Sequence, residues 1–140
     1  MEKNRISPTD IIMPLLAAVL ALGTAFVFHA CPAHDDGSFM SCHWAQQTVF
    51  GLGCVMLVIS FTHLGANSPR IKMGISLALL PVEIFTALVP NIVIKLCMSN
   101  TMRCHSIMRP SVVVLSLLMM IVTCADIFLC RKKEDAKNEN

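Results

Sequence analysis

Four long stretches of this chain run almost without charge: residues 11–30, 45–64, 73–94 and 111–130. Each has about the 20 residues that an α-helix needs to cross a bilayer. Polar residues collect between them, in segments 31–44, 65–72, 95–110 and 131–140. A core-facing helix of a small soluble domain keeps a polar side, whereas these stretches are apolar nearly all round. The pattern predicts an all-α, integral membrane four-helix bundle, one transmembrane domain spanning residues 1–140. It is built as two helical hairpins joined by the short turn at 65–72, with the two longer loops, 31–44 and 95–110, on the opposite side.

The basic residues orient this frame. Lys3 and Arg5 precede the first span, Arg70 and Lys72 sit in the short turn, and Arg131, Lys132, Lys133 and Lys137 follow the last span. The other two gaps hold Lys95, Arg103 and Arg109. The positive-inside rule therefore predicts that both termini and the turn are cytoplasmic and that both long loops face outward. Trp44 stands where an interfacial aromatic anchor belongs. Phe28-His29-Ala30 makes a poor small-x-small cleavage site, so the first span is expected to stay as a permanent helix. Composition agrees: 14% of residues are charged, against about 25% in an average soluble domain. The net charge of +2 is small and implies membrane lipid, with no nucleic acid, as a partner.

Within the spans, Ala17, Ala21 and Ala25 form a small face, and Gly51 and Gly53 thin the second helix, as close helix packing requires. Pro81 and Pro90 are expected to kink the third span. Glu83 lies near the middle of that span, roughly 16 Å in from Lys72 at 1.5 Å per residue. Ser76, Glu83 and Pro90 share one face, with Thr86 beside them. An acid at this depth costs about 2.5–3.5 kcal/mol on insertion scales, which points to a proton relay, an ion path or a polar contact with another subunit. The plainer reading is a protonated Glu83 bonded to the carbonyl freed by Pro81, or to a neighbouring Ser or Thr. His63 and Asp126 are expected at the inner interface. Cys54, Cys124 and Cys130 read as small hydrophobes, and Met119-Met120 as packing or lipid-facing residues.

Chemistry concentrates in the outer loops, where one pattern occurs twice. Met40-Ser41-Cys42-His43 follows Cys31, and Met102-Arg103-Cys104-His105 follows Cys97. Thiolate, thioether and imidazole are soft or borderline donors that suit copper, iron or haem, with zinc also open to Cys and His. In an extended loop, the Met and Cys of each motif would point one way and the His the other. The candidate ligands are Cys42, His43, Cys104 and His105, then Met40, Met102, Cys31 and Cys97. The same Cys31, Cys42, Cys97 and Cys104 can instead form disulfides within or between loops, or exchange them. The spacing matches no zinc-finger or haem-attachment pattern. No hydrolase triad, P-loop or dinucleotide fingerprint occurs, and any active transport needs a partner or an ion gradient.

The loop ending Met-x-Cys-His-Trp at 40–44, and the second loop with Cys97-Met98, Met102-Arg103-Cys104 and then Pro110, resemble a bacterial and archaeal family of small membrane proteins, domain of unknown function family 4418. The resemblance implies four spans in a prokaryotic cytoplasmic membrane and no established activity. It also implies partners among exporter-like ABC permeases and metal-handling proteins. In topology alone, the chain is similar to the quinone-linked disulfide-forming membrane oxidoreductases. Their Cys-x-x-Cys, which lowers a thiol pKa, is absent here. The leading expectation is a non-enzymatic accessory subunit whose outer Cys/Met/His cluster binds or passes on a transition metal or haem beside a transporter. The alternatives are a quinone-linked thiol–disulfide oxidoreductase and a disulfide-stapled structural subunit.

Overall fold

The computed structural model describes residues 7–27, 37, 39, 41–90, 92–96 and 104–138, excepting the side chains of 104–105 and 137–138. Four helices account for nearly all of them: α1 (Pro8–Leu22), α2 (Ser41–Gly65), α3 (Pro69–Leu88) and α4 (Arg109–Asn138). A π-helical turn extends α1 through Gly23–Val27, and another, Cys104–Met108, leads into α4. All four are long and apolar enough to cross a membrane.

The helix ends follow local chemistry. At the start of α1, the Ser7 backbone N–H donates to the Asp10 carboxylate (2.9 Å), and Pro8 occupies a first-turn position. A capped N-terminus of this kind begins the helix three residues before the apolar run at 11. α3 opens the same way, with Ser68 extended ahead of Pro69. It stops at Leu88, six residues short of the expected span end, because Pro90 has no N–H to continue the ladder. The Val93 and Ile94 N–H groups instead donate to the Leu88 and Val89 carbonyls at 3.1 and 3.0 Å. Pro90 therefore ends the helix where a kink was expected, while Pro81 sits inside continuous helix with its ring side exposed. α4 runs on to Asn138, past the apolar segment that ends at 130.

Each helix runs antiparallel to the two beside it. α1 packs on α2 and α4, and α3 packs on α2 and α4, so the two sequence hairpins form a closed ring. The turn at 66–68 and the described ends Ser7 and Asn138 lie at one end of the bundle, called here the termini end. The starts of α2 and α4 lie at the other, the motif end. Buried positions recur at alternating three- and four-residue steps: 72, 76, 79, 83 and 86 on α3, and 112, 116, 119, 123, 126 and 130 on α4. This is the seam spacing of antiparallel bundles. Large apolar side chains such as Phe26, Phe61, Ile121 and Phe128 face outward and exposed, as lipid contact requires. The seam itself is rich in polar groups: Thr24, Ser60, His63, Lys72, Ser76, Glu83, Thr86, Ser116, Thr123 and Asp126 are all buried.

Helix packing is closest between α1 and α2. A Cβ added at Gly53 would lie 3.2 Å from the Ala21 backbone, whereas one added at Gly51 meets nothing within 4 Å. Only Gly53 thins α2 for a neighbour, and Gly51 is exposed. Ala17 and Ala21 are buried, and Ala25 is partly so. Gly53→Leu is expected to destabilise the bundle by about 1–3 kcal/mol, the usual cost of overpacking. Gly51→Leu should be near neutral. Thermal unfolding of the two variants in the same detergent checks this.

Candidate functional site

Among the described residues, the strongest concentration of polar chemistry lies at the termini end, where every helix contributes. Asp10 comes from the first turn of α1 and His63 from the last turn of α2. Lys72 and Ser76 come from the first two turns of α3, and Asp126 from α4. The Lys72 Nζ donates to Asp10 Oδ2 at 2.7 Å. His63 Nε2 lies 2.9 Å from Asp126 Oδ2, and its Nδ1 faces Asp10 Oδ1 at 3.4 Å. The Thr9 hydroxyl donates to Asp126 Oδ1 and the Ser76 hydroxyl to Oδ2, both at 2.8 Å. The Cys130 thiol points at Asp126 Oδ2 from 3.8 Å.

His63, Asp10 and Asp126 are each 1% exposed. His63 and Asp126, expected at the inner interface, lie at the termini end and face the interior of the bundle. Burying a carboxylate is tolerable when cations and donors surround it, and here they arrive from the other helices. A ring protonated on both nitrogens would bring two carboxylates, one ammonium and one imidazolium to zero net charge. Ligand-type atoms of Asp10, His63 and Asp126 lie within 4.8 Å of one another, but the Lys72 ammonium already stands on Asp10 as a cation. The geometry is that of an internal ion-pair network. Cys130, with its thiol on this network, is more than a small hydrophobe. At the bundle edge, Arg70 pairs with Glu134 across the α3–α4 interface.

Glu83 lies further along the seam and is fully buried. The Thr123 hydroxyl of α4 donates to its Oε1 at 2.7 Å, while Oε2 has no hydrogen-bond partner. The Thr86 hydroxyl turns back to the Val82 carbonyl at 2.7 Å. Because α3 ends at Leu88, Glu83 is five residues, roughly 7.5 Å of helix, from that end. It therefore sits closer to the motif end than mid-span.

At the motif end, the first motif copy is helical. Ser41 begins α2, so Cys42 and His43 occupy its first turn, and the extended-loop geometry expected for them does not apply. Successive helical residues project about 100° apart, and the two side chains diverge accordingly. Cys42 is fully buried and belongs to the same apolar core as Met108. His43 is only partly buried and stacks on Phe39, with ring centroids 4.4 Å apart, and meets the Trp44 edge at 5.9 Å. Cys104 and His105 lie on the π-helical turn before α4, at the same end as Cys42. Met40, Met102, Cys31 and Cys97 lie outside the described residues. Cys54 is partly buried and Cys124 exposed on the outer surface, while Met119 is buried in the seam beside half-buried Met120.

Four apolar helices closed around a polar seam make this a multi-pass membrane protein in contact with lipid. The chain belongs to the family described as Domain of unknown function (DUF4418), whose model matches residues 13–129. That segment includes both motif copies, His63, Lys72, Glu83 and Asp126, and begins just after Asp10. No curated protein and no solved structure matches the chain.

Sequence reasoning overlooked Asp10 and used Lys72 only as a topology charge. A signal for each was present. Ser7-Pro8-Thr9-Asp10 is a helix-capping signature that fixes Asp10 on the first turn. Lys72 stands four residues before Ser76, in register with Glu83 and Thr86 on the same stripe.

Proposed function

We propose that this chain is a non-enzymatic accessory membrane subunit, whose two C…M-x-C-H segments act together to bind or pass on a transition metal or haem. Support comes chiefly from one observation: Cys42-His43 and Cys104-His105 open helical segments at the same end of one bundle, so two distant segments of sequence share that end. Cys42 and Met108, soft donors from opposite halves of the chain, are both fully buried at that end, within the apolar core that runs through the bundle. Thiolate and thioether favour Cu(I) or haem iron over hard cations. In this reading Cys42 and Cys104 are the principal ligands, with His105, Met40, Met102, Cys31 and Cys97 as further candidate donors, and His43 serves the surface with Phe39 and Trp44. The Lys and Arg distribution supports an extracytoplasmic motif end and cytoplasmic termini. A prokaryotic cytoplasmic membrane and a transporter permease as partner complete the proposal.

The test loads purified protein with Cu(I) under reducing conditions and measures metal per chain by elemental analysis. Cys42→Ser and Cys104→Ser are each expected to lower affinity at least about tenfold, since serine is a poor ligand for a soft ion. Cys54→Ser and Cys124→Ser should bind as the unmodified protein does. Equal metal content in all four variants would contradict the proposal. Metal-free protein with its loop cysteines oxidised pairwise would favour a stapled structural subunit.

A further inference from the structure

We propose that Glu83 is a proton-binding site within the bundle, exchanging with the termini end through Asp126, His63 and Asp10. The observation that carries this is where hydrogen bonding is left incomplete. Among the described residues, the buried side-chain N and O atoms without a hydrogen-bond partner are Asp10 Oδ1, His63 Nδ1, Glu83 Oε2 and Ser116 Oγ. All four lie on the seam, and the first three belong to the groups named in the route.

A purely structural network fills its acceptors, because an unsatisfied buried polar atom costs about 1–3 kcal/mol. A relay instead needs, at each station, an atom able to gain or lose a proton. His63 has that form: Nε2 on Asp126 at 2.9 Å and Nδ1 facing Asp10 Oδ1 at 3.4 Å. Glu83 has it too, with Oε1 held by Thr123 at 2.7 Å and Oε2 open. Thr123 is three residues from Asp126 on α4, roughly 4.5 Å along the axis, so the hydroxyl that holds Glu83 lies about one helical turn from Asp126. The titratable and charged groups that approach along the seam are Asp126 and Cys130 from α4, His63 from α2, Asp10 from α1 and Lys72 from the start of α3. None of the ion pairs among the described residues includes Glu83.

The step is proton transfer alone. A proton enters from water beside Lys72 and Asp10, passes across the imidazole from Nδ1 to Nε2 and on to Asp126. From Asp126 it passes on, over about one turn of α4, to the Glu83 carboxyl, and it leaves by the reverse path. No heavy-atom bond is made or broken and no co-reactant is needed. An acid at such depth that could not exchange would be replaceable by an amide, since glutamine also accepts a bond from Thr123.

Infrared spectroscopy of the full chain in lipid nanodiscs reads this directly through the carboxylic C=O stretch. The expected result is a band whose intensity changes with pH and that disappears in Glu83→Gln. Its exchange in heavy water should slow by about 10²-fold in His63→Gln, the lower range for losing a positioned acid–base group. Thr123→Val should shift the band without abolishing it, a readout independent of any effect of His63→Gln on folding. The proposal is overturned if the unmodified protein shows no Glu83 band at any pH. A band of constant intensity, exchanging equally fast in His63→Gln, overturns it as well.

Discussion

Replacing Asp126 with alanine is expected to cost the bundle about 3–5 kcal/mol, the range for breaking a buried ion pair by removing one partner. Asp126 accepts from Thr9 of α1 and Ser76 of α3 and meets His63 of α2. Alanine strands two hydroxyls and an imidazole inside an apolar bundle, each needing a new partner or water. The loss falls on the contacts of α4 with each of the other three helices. Asp126→Asn should lose less, because its carbonyl oxygen still accepts one hydroxyl while its amide opposes the His63 ring. Unfolding titrations in a mixed detergent system measure the difference. An alanine variant as stable as the unmodified protein would mean that the network adds nothing to the bundle.

Lys72→Met should have an effect of similar size for a different reason. It leaves the Asp10 carboxylate buried, with the Ser7 N–H as its remaining close donor and the His63 ring at 3.4 Å. An uncompensated buried charge of this kind costs about 3–5 kcal/mol. Removing both charges, in Lys72→Met combined with Asp10→Leu, should recover most of the loss. The deficit that remains is set by the lost helix cap, about 1 kcal/mol, and by His63 Nδ1, now without a carboxylate. A double-mutant cycle in lipid or detergent gives the coupling directly. Additive losses would show that Lys72 and Asp10 act independently despite their 2.7 Å contact.

The four helices and their pairing into hairpins were legible because membrane crossing demands a long apolar run, and each run is visible without tertiary information. Gly53 and the Ser76–Glu83–Thr86 stripe were legible from helical spacing. The ion network was not, because its members are scattered: Thr9 and Asp126 lie 117 residues apart. Each helix contributes one or two charged groups, which in isolation look like interfacial residues. His63 stands near the end of α2 and Asp10 at the start of α1, and only antiparallel packing brings both to Asp126. The boundary of α2 misled in the same way. Ser41-Cys42-His43 reads as polar loop, but the helix begins there, sending Cys42 into the core and His43 to the surface. Proline had two outcomes for one expectation: Pro81 is accommodated within α3, while Pro90 closes it.

If the two motif copies form one soft-donor site at the motif end, X-ray absorption at the metal edge of the copper-loaded protein will detect it. The expected result is a first coordination shell dominated by sulfur, which loses sulfur scattering in both Cys42→Ser and Cys104→Ser. A shell of nitrogen and oxygen alone, unchanged by either substitution, would contradict it.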